Sequence, residues 1–212
     1  MKTIIVIPMK DPRQSKQRLS GVLNPANRQQ LALSMFTHSL EFFQTHFPAY
    51  TVLVVTRSER IRAIAKRHQA EVLMETPPGG LNGAASQAAQ WSRQQGYESQ
   101  LLIPADIAVL DEHEIGQLLD QLWDAPWVSI CPADDGGTNA LMTSPPDVIP
   151  FRFGIDSCEE HLAVARKLGV HSVVNEMKNL AFDVDSPDDL EQLAALPMLV
   201  PAQEVLNACN MY

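Results

Sequence analysis

A chain of 212 residues is long enough for one α/β domain with a full core and too short for several. With 45% hydrophobic and 19% charged residues it is not a disordered chain, and a net charge of -9 excludes a broad nucleic-acid or anionic-membrane surface, which would need clustered Lys and Arg. The three cysteines, Cys131, Cys158 and Cys209, are far apart, and the six histidines lack ligand spacing, so neither a disulfide framework nor a zinc site is expected and a cytoplasmic setting is.

The first apolar run, residues 3–7, is far shorter than the ~20 residues of a spanning helix and has no signal-cleavage pattern, so it reads as a buried strand. A loop follows, Pro8-Met9-Lys10-Asp11-Pro12-Arg13-Gln14-Ser15-Lys16-Gln17-Arg18-Leu19, with four cations in nine residues of an otherwise acidic chain. Asn24 before Pro25 starts a helix over 25–43. Strands at 51–55 and 71–74 flank a helix at 59–68, and Gly79-Gly80-Leu81-Asn82-Gly83 leads into a helix at 83–94. A strand at 101–103 ends in Pro104-Ala105-Asp106, and a helix at 112–122 and a strand at 128–131 follow.

Residues 134–156 are rich in turn formers, with Gly136-Gly137-Thr138-Asn139 at their start and an edge strand expected at 140–143. Ser157 with Glu160 three residues on predicts a capping box for a helix over 158–167. A strand at 171–174 precedes Phe182-Asp183-Val184-Asp185-Ser186-Pro187-Asp188-Asp189-Leu190, where Ser186 caps a helix over 187–195. Such alternation predicts a single-domain three-layer α/β/α sandwich on a largely parallel, mixed, Rossmann-like sheet over residues 1–196, with 197–212 as a C-terminal tail. No fixed-period repeat appears. Ligands then belong in the loops at the carboxyl ends of the strands.

Each of those loops has two readings. The basic loop is a triphosphate cradle or a solvated face; it matches neither a P-loop nor a GxGxxG fingerprint. Asp106 is a magnesium ligand or a turn residue. Asp183 and Asp185 share one side of an extended segment and are needed by no cap, which favours metal, whereas Asp188 and Asp189 complement the helix dipole. The glycines let a ligand approach the backbone, or simply make turns. His161 reads as structural.

Together and in order, the stretches PMKDPRQSKQRL, GGLNGA, PADIAVL, DGGTNAL, Phe151 to His161 and FDVDSPDDL resemble the 2-phospho-L-lactate guanylyltransferase family of coenzyme F420 biosynthesis, a branch of the GT-A-like nucleotidyltransferases. The resemblance runs over about residues 3 to 190. It implies Mg2+ on Asp106, Asp183 and Asp185, and GTP phosphates on Lys10, Lys16 and Arg18, which with Asp106 form the catalytic set. It further implies a nucleotide site completed by Pro8, Gly80, Leu81 and Asn82, and the phosphorylated acid at Thr138, Gly154 and Ser157. The acid is 2-phospho-L-lactate, phosphoenolpyruvate or 3-phosphoglycerate. Where the family usually has a proline, two residues after Asp106, this chain has Ala108, which puts the shape of the acceptor pocket in question.

The implied reaction is attack of the acid's phosphate oxygen on the α-phosphorus of GTP. It needs no strong base, because a phosphomonoester with a second pKa near ~6 is already largely ionised. Rival readings are another GT-A-like transferase, for a molybdopterin, cobinamide-phosphate or sugar-1-phosphate acceptor, and a non-catalytic nucleotide binder. The first usually carries an LAGGxGTRM loop that this chain lacks, and the second has no use for a retained carboxylate set. Oligomeric state, homodimer included, is left open.

Overall fold

A computed structural model defines residues 1–121 and 123–196. The expected tail, 197–212, and residue 122 lie outside the described residues. Strands β1 (Thr3–Pro8), β2 (Thr51–Thr56), β3 (Glu71–Met74), β4 (Ser99–Leu102), β5 (Trp127–Pro132), β6 (Thr138–Ser144) and β7 (His171–Val174) form one sheet in the order β3-β2-β1-β4-β6-β5-β7. All neighbours pair in parallel except β6, which runs antiparallel to both β4 and β5. The helices are α1 (Pro25–His46), α2 (Glu59–Arg67), α3 (Gly80–Gln94), α4 (Glu112–Leu119), α5 (Ser157–Leu168) and α6 (Pro187–Ala195).

The period-two geometry of a strand turns alternate side chains to opposite faces, and β1 uses both. Ile5 and Ile7 pack with Phe36 and Leu40 of α1, Ile61 of α2 and Ile115 of α4. Ile4 and Val6 pack with Ala84, Ala85 and Ala88 of α3 and Ala165 of α5. The outcome is the expected three-layer sandwich. The small residues of α3 let that helix pack close to the sheet. A third cluster joins Leu19, Leu31 and Met35 to Ala108, Val184 and Leu190, and fixes the loop after β1 against α6.

Two local expectations are corrected. The strand within 134–156 is no edge strand: β6 lies between β4 and β5 with all seven residues buried. The surrounding turn residues bound it rather than weaken it. Gly136 and Gly137 close the preceding hairpin, and Pro145 and Pro146 follow its last residue. Nor does Ser157 cap α5. Asp156 is the N-cap, in left-handed conformation at φ 53°, so Ser157 becomes the first helical residue and its side chain turns inward. Asn24 and Ser186 do cap α1 and α6, and Asp189 completes a capping box with Ser186. α4 ends at Leu119, short of the expected boundary.

The antiparallel β6 also organises the site. The ends of β1 and β4 and the start of β6 all open on the same edge of the sheet.

Candidate active site

That edge holds a cavity of about 480 Å³, within the size range of small-molecule sites. The loop after β1, the start of α3, the Pro104-Ala105-Asp106 turn, the start of β6, the 153–157 segment and the Asp183–Asp185 segment all line it. Of the residues singled out from sequence, Pro8, Lys10, Lys16, Arg18, Gly80, Leu81, Asp106, Thr138, Gly154, Ser157, Asp183 and Asp185 line this cavity, and Asn82 does not.

Asp106, Asp183 and Asp185 converge although 77 residues separate the first from the second. A backbone bridge brings them together: Ile107 pairs antiparallel with Asp183, Ala108 N–H donates to Phe182 O at 3.1 Å, and Val184 N–H donates to Asp106 O at 3.3 Å. Ala108 is 2% exposed, packs in the third cluster and gives its N–H to this bridge, and it is not part of the cavity lining. A proline there has no N–H to give.

One oxygen from each of the three carboxylates lies within 4.8 Å of the others. Hard oxygen donors so close together suit a hard divalent cation. A positive charge already sits among them: Lys16 Nζ donates to Asp106 Oδ2 at 3.0 Å and to Asp185 Oδ1 at 3.2 Å, with only 3% of its side chain exposed. Lys16 adopts left-handed backbone at φ 54°, a costly conformation for a side chain with a Cβ, which carries its ammonium inward. Burial opposes that charge, but Asp106 and Asp185 outweigh it and hold the ammonium above its usual pKa. Burial likewise opposes ionisation of Asp106, and Lys16 outweighs it, so this carboxyl stays below the usual range. Asp183 makes no such pair with Lys16. Burial, reinforced by the two neighbouring carboxylates and only partly offset by Asn139, pushes it up to about 6.

The cations thus divide into two kinds. Lys16 is committed to carboxylates in this structure. Arg18 is 71% exposed on its side chain and reaches Asp185 only at 3.7 Å, and exposed Lys10 forms no ion pair among the described residues.

On the α5 side of the cavity, Ser157 Oγ donates to Thr138 Oγ1 at 3.0 Å, and His161 Nδ1 lies 3.1 Å from the same oxygen. Arg152 N–H donates to His161 Nε2 at 3.0 Å. His161 is fully buried with Phe153 edge-on to its ring, and burial lowers its pKa to about 4, so it is neutral. Gly154 sits at φ +144°, a conformation that side chains rarely adopt, and its carbonyl accepts from Ser157 N–H at 3.2 Å.

Asn82 does not present its amide to a nucleotide. Its Oδ1 accepts from Phe153 N–H and its Nδ2 donates to Phe153 O at 3.1 Å, tying α3 to the 151–155 loop. Sequence reasoning missed Asn139, whose Nδ2 donates to Ala181 O at 3.0 Å and to Asp183 Oδ1 at 3.1 Å. The available signal was alternation: next to Thr138 on a strand, Asn139 must face the other side. Glu75, which accepts from Gly79 N–H at 2.8 Å and orients the start of α3, carried no local signal.

A cavity at this edge, walled by a basic loop and three strand-end carboxylates, defines the class: a nucleotidyltransferase-like α/β protein. The fold agrees with a solved chain from Desulfovibrio desulfuricans G20 described as a nucleotide-diphospho-sugar transferase, at TM-score 0.78 and 18% identity, covering 98% of this chain and 94% of the other. The chain belongs to the family described as guanylyl transferase CofC like, matched over residues 3–199, which bears out the resemblance read from the motifs. It is 50% identical over 210 residues to the 3-phospho-D-glycerate guanylyltransferase of Colwellia psychrerythraea, covering 99% of each. To the phosphoenolpyruvate guanylyltransferase of Rubrobacter xylanophilus it is 34% identical over 196 residues, covering 92% of this chain and 95% of the relative.

Proposed function

We propose that the protein transfers GMP from GTP to a three-carbon phosphorylated acid, 3-phospho-D-glycerate before phosphoenolpyruvate and 2-phospho-L-lactate, with release of pyrophosphate. The order of acids follows the 50% identity to a relative named for the first. The observation that carries the reaction type is the carboxylate triad opening on the same cavity as the basic loop.

The attacking phosphate oxygen of the acid forms a bond to the α-phosphorus of GTP, and the bond from that phosphorus to the bridging oxygen of pyrophosphate breaks. The acid's phosphate arrives ionised, so no side chain need remove a proton. What must be supplied is alignment of two anions and neutralisation of their charge. Asp106, Asp183 and Asp185 would hold magnesium, which when bound offsets charge on the phosphate oxygens. Lys10 is free to meet the triphosphate, Arg18 can turn to it from its loose 3.7 Å pair with Asp185, and Lys16 can follow by exchanging its carboxylate partners for phosphate oxygens. Pro8, Gly80 and Leu81 form the wall available to the base and ribose.

Thr138 and Asn139 face opposite sides of β6, Thr138 toward α5 and Asn139 toward Asp183. The acid's phosphate therefore belongs beside the triad and its carboxylate beside Thr138, Gly154 and Ser157. Residues 1–196 act as the catalytic unit, in the cytoplasm. The test is a matrix of four NTPs against the three acids with magnesium, read by product mass. GMP joined to 3-phosphoglycerate is the expected product. Absence of pyrophosphate release in every combination overturns the reading.

A further inference from the structure

The site holds a buried histidine that the reaction above does not use. We propose that His161 is a positioning residue for the acid. Its ring orders the hydrogen bonds around Thr138 so that the Thr138 hydroxyl proton can only be offered to the cavity, where it meets the acid's carboxylate. The inference rests on the acceptor half of the proposed function.

Donors and acceptors can be counted. A backbone N–H only donates, and Arg152 N–H points at His161 Nε2 at 3.0 Å, so Nε2 carries no proton. The proton of the neutral ring is then on Nδ1, 3.1 Å from Thr138 Oγ1, and a protonated Nδ1 has no lone pair with which to accept. Thr138 Oγ1 accepts there. It also accepts from Ser157 Oγ at 3.0 Å. Both lone pairs of Thr138 Oγ1 are taken, and its one remaining capacity is to donate. Thr138 lines the cavity and is 6% exposed, so a ligand in the cavity is where that proton can go.

A hydroxyl held as a donor discriminates in favour of anionic oxygen, which has lone pairs and no proton. The opposite tautomer would let Thr138 donate to His161 and present lone pairs to the carboxylate instead. His161 does not touch the acid in this arrangement. It acts through Thr138, as a second partner does for a metal-bound or ligand-bound group.

The direct test is the tautomer: long-range proton–nitrogen NMR of the wild-type protein should show His161 with Nε2 bare and Nδ1 protonated. An Nε2-protonated ring overturns the inference whatever the variants do. The kinetic test compares His161→Leu, His161→Asn, Thr138→Val and the Thr138→Val/His161→Leu double variant. Thr138→Val and His161→Leu should each raise the KM for 3-phosphoglycerate about tenfold, the usual loss for one hydrogen bond to a charged group, with the KM for GTP unchanged. His161→Asn, which keeps an N–H near the Nδ1 position, should recover most of that loss. The double variant should be no worse than Thr138→Val, since His161 acts only through that hydroxyl. Multiplying effects, or equal rises in both KM values, overturn it. Failure of the wild-type protein to modify any acid overturns the proposed function; wild-type transfer with an unaltered acid KM in His161→Leu overturns only the role of His161.

Discussion

Replacing Asp183 by Asn should remove a proposed metal ligand and at the same time stabilise the metal-free protein near neutral pH. Raising a carboxyl from its ordinary 3.8 to about 6 corresponds to roughly 3 kcal/mol at ~1.36 kcal/mol per pH unit. The direction follows from proton binding. In the folded protein Asp183 keeps its proton to higher pH than in the unfolded chain, so its contribution is most favourable below about pH 4 and is lost as pH rises through about 6. The amide introduced by Asp183→Asn does not titrate, and its oxygen can still accept from Asn139. The advantage of Asp183→Asn over wild type should therefore grow by roughly 1.5 kcal/mol between about pH 5 and about pH 7.5. Urea denaturation in chelator at the two pH values measures it. A pH-independent difference between the proteins, or a wild type that is the more stable at the higher pH, refutes the reasoning. Added magnesium should stabilise wild type more than the variant, because a ligand bound only by the folded state adds to its stability.

Asp106→Asn should cut pyrophosphate release by more than about a hundredfold while circular dichroism shows an intact fold, because it removes charge from the proposed metal site. Near wild-type turnover at saturating magnesium would contradict that role. Lys10→Ala and Arg18→Ala should each weaken GTP binding about tenfold by calorimetry, the usual scale for a charge-assisted contact. Unchanged affinity in both would make the loop a solvated face. Asn82→Ala should cost roughly 2 kcal/mol of stability, since it strands two backbone groups of Phe153, and should raise the KM of the acid more than that of GTP. The reverse order of KM effects would restore Asn82 to the nucleotide.

The layers and the approximate extents of the elements were legible in the sequence, because buried strands and amphipathic helices follow burial periods that do not depend on distant partners, whereas the residues of the cavity wall were reached through the strand-end loops and the family resemblance. The strand over Glu71–Met74 and the helix over Pro187–Ala195 fall where their patterns put them. What was not legible depends on contacts remote in sequence. Ser157 satisfies a local capping pattern, yet the left-handed turn at Asp156 gives its hydroxyl to Thr138 instead. Lys16 reads as one more cation in a basic loop, and only the convergence of Asp106 and Asp185 shows it as their counter-ion. Asn82 stands in a glycine loop that looks made for a ligand, but its partner is the backbone of Phe153, 71 residues away. The resemblance named the metal set; the backbone bridge from Ile107 to Asp183 shows how it is assembled.

The reversed direction of β6 gives the two substrates different kinds of wall. The side proposed for the nucleotide is built from the segments after β1, β3 and β4, which lead to helices across open connections and can change length without disturbing the sheet. The side proposed for the acid hangs on the turn joining β5 to β6, where Ala133 N–H bonds Gly137 O and Gly137 N–H bonds Asp135, clamped between two strands of a seven-stranded sheet. An insertion there would shift the register of β6 and turn its buried residues to the wrong face. In this scaffold a new acid is therefore reached by exchanging single side chains at Thr138 and along residues 151–157, whereas a new nucleotide can be reached by remodelling whole loops.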